Sequence, residues 1–124
     1  MGRATIFTKG HVVTLLDESA PPLYSTSLDD PDVADLIDDY VATMPQTIQV
    51  MESAVVERDW SHLLRQSHRL RGSAASYGFT TIGAAAGALE LAIFHGSTGV
   101  ILNRFNGLLS LCRRVRSRRS VHAV

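Results

Sequence analysis

From Trp60 onward, Leu63, Ser67, Leu70, Ala74 and Tyr77 recur at steps of four and three, the spacing of one face of an α-helix. Similar stripes flank this one. Val33, Leu36, Ile37, Tyr40, Val41 and Met44 precede it, continued by Ile48, Met51, Val55 and Val56. Ile82, Ala85, Ala86, Leu89 and Ile93 follow, and a last stripe runs through Ile101, Leu102, Phe105, Leu108, Leu109, Cys112 and Val115. No segment after residue 30 reads as a strand. Amphipathic helices joined by short connections must bury their stripes against one another. The expected fold is therefore all-α: an antiparallel four-helix bundle, up-down-up-down, with an additional N-terminal helix.

Capping signals set the expected boundaries. Ser27 or Asp30 caps a first helix that begins at Pro31 and runs to Met44, proline being suited to a first helical position. Pro45 interrupts or restarts that helix, which then continues to about Glu57. Asp59 is the N-cap of the next helix and Gly78 its stop. Thr80 or Thr81 caps the third helix, and "HGSTG" (95–99) separates it from the fourth. Upstream, "ATIF" and "HVVTLL" fit either short strands or a helical arm, closed by the breaker "APP". The chain thus divides into an N-terminal extension (1–24), a helical bundle (25–118) and a short tail (119–124).

Composition narrows the function classes. The chain has 124 residues, 45% apolar and 19% charged, as expected of a single globular domain. No apolar run approaches the roughly 18 residues of a membrane span. The N-terminus makes a poor signal peptide, so a cytoplasmic location is expected, with no membrane partner. Cys112 is the single cysteine, which excludes an intrachain disulfide and a Cys-rich zinc site. No His-x-x-x-His pair and no Glu-x-x-His signature offers a metal site. No nucleophile elbow supports a hydrolase.

Net charge is zero but unevenly spread. Eleven of the twelve acidic residues lie at or before Asp59, and nine of the twelve basic residues lie after Trp60. Acids early in one helix and arginines at the end of another complement helix dipoles, which is sufficient explanation for the split. Nucleic-acid binding by "RRVRSRR" (113–119) is the alternative, but no aromatic stacking set or DNA-binding motif accompanies it. No nucleic-acid partner is expected.

The stretch "HRLRGSAASYGF" (68–79) is unusual for a helix that only fills a core, which favours large apolar residues. At about 100° per residue, His68 lies about 130° from the centre of the apolar face. It therefore projects to solvent, with Leu64, Arg65, Arg71 and Gly72 one turn away. A glycine inside a helix costs about 1 kcal/mol relative to alanine, so Gly72 asks for a reason, and close approach by another surface is one. Leu64 and Ala75 lie between the core face and His68. Tyr77, Phe79 and Ile82 are better suited to core packing. Gly83 and Gly87 share a side of the next helix with Glu90, suiting either close helix packing or a flat partner-facing surface.

The segment "HRLRGSAASYGFTTIGAAAGALE" (68–90) resembles the signature helix pair of histidine-containing phosphotransfer (HPt) domains: His-x-Leu-Lys-Gly, a run of small residues, a glycine at the turn and a Leu-Glu-like ending on the following helix. The resemblance extends upstream through "LIDDYVATMPQTIQVMESAVVERDWSHLLRQSHRLRG" and covers roughly residues 31–112. It implies a phosphocarrier of a multistep two-component phosphorelay without ATP-dependent kinase activity of its own. His68 would accept a phosphoryl group from a receiver-domain aspartate and pass it to another. Response-regulator receiver domains and a hybrid histidine kinase would be its partners.

The same resemblance suggests roles for individual residues. Arg71 stands where the family usually has lysine, keeping the charge but replacing a point cation with a planar fork. Glu90 falls where family members often place a polar residue that orients the histidine ring, although a solvated helix residue would also suit that position. Gly72 matches the glycine that lets the receiver approach. Leu64, Arg65, Arg69, Gly72 and Ala75 would form the partner-binding surface. No cofactor of its own is expected, with Mg²⁺ supplied by the receiver. The alternative is an HPt-like interaction module that binds a receiver or other signalling protein without carrying phosphate.

Overall fold

The computed structural model describes residues 5–8, 11–14, 21–27 and 30–117. The expected tail at 119–124, together with Arg118, lies outside them. Four helices pack as a bundle: α1 (Ala34–Val56), α2 (Trp60–Ser76), α3 (Thr80–His95) and α4 (Thr98–Cys112). Their stripes meet in one core containing Ile37, Met44, Ile48, Met51, Leu63, Ile82, Leu89, Ile101 and Leu108, each almost fully buried. The most extensive helix pairing is α2 with α3.

Before α2, three expectations change. No helix precedes α1 among the described residues. The N-terminal extension holds instead an antiparallel pair of strands, β1 (Thr5–Thr8) and β2 (His11–Thr14), with Thr5 opposite Thr14 and Thr8 opposite His11. Six of these eight residues are β-branched, and β-branched side chains favour the extended chain over the helix. Pro45 does not divide α1, which runs through it without a break. Met44 and Ile48 on either side of the proline are both buried, so core packing holds the two halves in one helix despite the lost backbone bond. Finally, Pro31 opens a turn and not the helix itself. Asp30 Oδ1 accepts from the Asp32 amide at 2.9 Å, and α1 starts three residues after the proline.

The connections follow local chemistry. Asp59 caps α2 by accepting from the His62 amide at 3.1 Å. Gly78 has φ +84 and Gly96 φ +78, a left-handed backbone that glycine adopts without Cβ strain. The threonines expected to cap α3 are its first two residues, Phe79 being the N-cap, with no side-chain bond.

The α2–α3 turn is tied down from outside the bundle. Ser25 Oγ donates to the Tyr77 carbonyl at 2.6 Å, and the Thr26 amide donates to the Gly78 carbonyl at 3.0 Å. Leu23 meanwhile bridges Val115 in parallel, its amide donating to the Arg114 carbonyl at 2.7 Å. One short segment thus links the α2–α3 turn to the end of α4. Beneath the turn, Tyr40 stacks on Tyr77 with centroids 4.4 Å apart and shares a 2.8 Å hydrogen bond with Ser73. Phe79 and Ile82 are buried, as core packing requires.

Arg113, Arg114 and Arg116, which follow α4, are held within the fold. Arg113 pairs with the buried Glu52 at 3.1 Å, Arg114 donates to the Pro21 carbonyl at 2.8 Å, and Arg116 donates to the carbonyls of Arg113 and Val115. Ser117 donates to Asp38. Acid-rich α1 and the basic segment are therefore joined by direct pairing across the bundle, beyond any dipole effect.

Two stability measurements check this packing. A Cβ on Gly78 would run into Ser25 Oγ and lie 3.0 Å from the Thr26 nitrogen. Gly78→Ala is expected to lower unfolding free energy by about 1–3 kcal/mol, read by urea denaturation. Burial pushes the Cys112 thiol up from 9.0 to about 12. The unfolded chain then loses this proton first as pH rises, so stability falls from about pH 9 towards pH 12, at up to about 1.4 kcal/mol per pH unit. Burial raises the Tyr40 phenol too, against the opposing Ser73 bond, which adds a loss of the same sign above pH 10. In Cys112→Ala the alkaline slope should be shallower.

Candidate functional site

His68 sits midway along α2, and its imidazole is 63% exposed. Its Nδ1 lies 2.9 Å from Glu90 Oε2 on α3. Glu90 is buried, with only 11% of its side chain exposed, so the solvated alternative for this residue is not what the fold produces. Arg71, one turn along from His68, places its Nε 3.0 Å from Glu90 Oε1. Its N–H is not aimed at that oxygen, which has no hydrogen-bond partner, so the contact is an ion pair. A second Arg71 nitrogen lies 3.4 Å from His68 Nδ1.

These distances decide the ring tautomer. A carboxylate oxygen can only accept, and two acceptors facing each other at 2.9 Å would repel. Nδ1 therefore carries the proton and donates it to Glu90. The longer Arg71 contact then brings two donors together and is not a hydrogen bond. In the neutral ring the remaining lone pair belongs to Nε2. His68 thus has an oriented imidazole whose nucleophilic nitrogen is Nε2.

The approach of α3 to α2 depends on two glycines. A Cβ on Gly83 would sit 3.2 Å from the Arg71 carbonyl oxygen and 3.5 Å from the Ala75 nitrogen. A Cβ on Gly87 would sit 3.3 Å from Arg71 Cδ. Gly83 thus allows the two backbones to close, and Gly87 leaves a channel along which the Arg71 stem reaches Glu90. Of the two uses open to these glycines, close packing is the one realised. At Gly72 the opposite holds: no atom lies within 4 Å of an added Cβ. Nothing among the described residues requires that glycine.

The other sequence-selected residues surround the ring without touching its polar atoms. Arg65 and Arg69 are exposed, and neither is among the hydrogen-bond or ion-pair partners of His68 among the described residues. Ala75 is exposed and lies against Gly83 of α3, and Leu64 is half-buried. Among the described residues no three His, Cys, Asp or Glu side chains group as metal ligands. The one carboxylate beside His68 already faces the ring and Arg71. Sequence reasoning picked out all three members of the His68–Glu90–Arg71 cluster, but not the Glu90–Arg71 pairing. The small side chain at Gly87, one turn before Glu90, was the available signal.

The geometry makes a spectroscopic prediction. Nitrogen chemical shifts of His68 should report the Nδ1–H tautomer in the wild-type chain. Glu90→Gln keeps an acceptor and should largely preserve that tautomer, whereas Glu90→Ala should return the ring to a mixture.

Comparison with known proteins identifies a family. No curated protein and no solved structure gives a significant match to the chain. The family model for the Hpt domain matches residues 35–118, well over half of the chain. That span holds all four helices but for the first residue of α1, together with the exposed His68 and the Glu90 carboxylate behind it. Domains of this family are phosphocarriers in phosphorelays, not kinases, and generally interact with receiver domains. With an oriented, solvent-facing histidine on the second helix of a four-helix bundle, the chain belongs to the Hpt domain family.

Proposed function

We propose that His68 is the phosphorylated residue and that the chain shuttles a phosphoryl group between receiver-domain aspartates. The observation that carries this reading is the 2.9 Å contact from His68 Nδ1 to buried Glu90, which leaves Nε2 free and exposed. Nε2 attacks the phosphorus of an aspartyl phosphate. The N–P bond forms as the P–O bond to the aspartate breaks, and the carboxylate leaves with that electron pair. The ring gains positive charge, and its Nδ1 proton remains hydrogen-bonded to Glu90, whose negative charge stabilises it. Onward transfer reverses these steps on a second aspartate, releasing the neutral imidazole.

Arg71 is a positioning residue in this scheme. It neutralises the second Glu90 oxygen and keeps a cation on the His68 side of α3, where it supports phosphoryl charge. The family lysine would place a point charge there, whereas the arginine fork reaches Glu90 through the channel at Gly87. Exposed Arg65 and Arg69 add positive charge that speeds encounter with an acidic receiver pocket. Gly72 and Ala75 keep the wall beside His68 low. In-line phosphoryl transfer depends mainly on positioning and electrostatics. The divalent cation it uses would sit in the receiver's own acidic pocket, because Glu90 is already committed.

The decisive experiment incubates the chain with phosphorylated receiver domains and Mg²⁺. Acid-labile phosphate is expected on the wild type and none on His68→Gln, while Glu90→Ala should slow transfer roughly tenfold to hundredfold. Labelling of His68→Gln would overturn the assignment. Receiver binding that is indifferent to His68→Gln, with no phosphate on the wild type, would make the chain an interaction module.

A further inference from the structure

The two most exposed large apolar side chains of the bundle lie close together on α3. Leu91 is 61% exposed and Phe94 71% exposed. Scattered apolar residues on a surface need no explanation, but adjacent ones beside a site do. Their position follows from the register of α2 against α3. Gly83 lies against Ala75, Gly87 against Arg71 and Glu90 against His68. One turn further along this antiparallel register, Phe94 comes level with half-buried Leu64. Leu91 follows Glu90 directly and is turned about 100° towards solvent. An apolar strip of Leu64, Leu91 and Phe94 therefore begins beside the imidazole and runs towards the α3–α4 turn.

The exposed charge on α2 and α3 has one sign, the nearest exposed acids being Glu57 and Asp59 in the connection before α2. α2 contains no acidic residue and exposes Arg65, Arg69 and Arg71, and the only acid of α3 is the buried, paired Glu90. The acids of the described helices otherwise lie on α1: Asp35, Asp38, Asp39 and Glu52. A partner with an acidic pocket is thus drawn to the α2–α3 face and repelled from α1.

We propose that Leu91 and Phe94, with Leu64, form the apolar part of a receiver-docking surface. Its occupant is a receiver domain whose acidic phosphorylated pocket is bordered by an apolar surface. The arginines guide approach, and the apolar strip supplies the affinity, as buried aromatic anchors do at interfaces. This inference rests on the phosphocarrier reading. It assigns Leu91 and Phe94 to partner recognition and not to chemistry at the ring.

The test compares wild type with Leu91→Ser/Phe94→Ser, using two phosphodonors. Phosphoramidate is small and needs no protein docking, so both chains should be labelled on His68 at equal rates. With a phosphorylated receiver that labels the wild type, the variant should need a roughly tenfold or higher receiver concentration for half-maximal transfer, with the maximal rate little changed. Equal receiver dependence of the two chains would overturn the proposal. A parallel loss with phosphoramidate would do so too, by placing the residues in the chemistry. Sedimentation is expected to show monomers for both; a wild-type dimer dissociated by the double substitution would assign the strip to a second copy instead. If neither donor labels the wild type, it is the phosphocarrier reading that fails, and the inference with it.

Discussion

Everything at the site depends on how closely α3 approaches α2. With the Arg71 carbonyl only 3.2 Å from where a Cβ on Gly83 would stand, even an alanine there would require the helices to shift. That closeness brings a carboxylate from one helix within 2.9 Å of an imidazole on the other. It also removes Glu90 from bulk water, where competition from solvent would weaken its hold on the ring. The small residues of α3 therefore set the geometry of the site, although none of them carries a functional group.

The same pairing separates two demands on His68. In the proposed phosphotransfer, one nitrogen is held and the other is free. Burial of Glu90 behind α2 satisfies the first, and the absence of any atom within 4 Å of a Cβ at Gly72 leaves the outer wall low enough for the second. Arg71 lies between these environments, its stem beside Gly87 and its guanidinium between Glu90 and the ring. The turn that joins the two helices is secured by Ser25 and Thr26 and packed beneath by the Tyr40–Tyr77 stack. Segments far from His68 in sequence thus hold the helix pair in register.

Legibility in the sequence varied with the kind of interaction. Period-3.6 stripes identified the four helices because each buries one face in a common core, and Asp59, Gly78 and Gly96 marked boundaries through local backbone chemistry. Pro45 was misleading because its local preference is outweighed by the burial of Met44 and Ile48. The N-terminal segment carried both strand and helix signals, and its β-branched content prevailed in the hairpin. Glu90 left two readings open in the sequence, since a lone carboxylate on a helix is more often solvated than buried.

Sequence alone determined the helical class, the placement of His68 on a solvent-facing edge and the unexplained glycine beside it, because these depend on periodicity and on costs paid within a single helix. Tertiary structure decided which nitrogen of His68 is held, that Arg71 pairs with Glu90, and that Leu91 and Phe94 stay exposed. Those outcomes depend on the separation and register of two helices, set by side chains packing across the bundle, and no spacing along one chain encodes a distance between two elements.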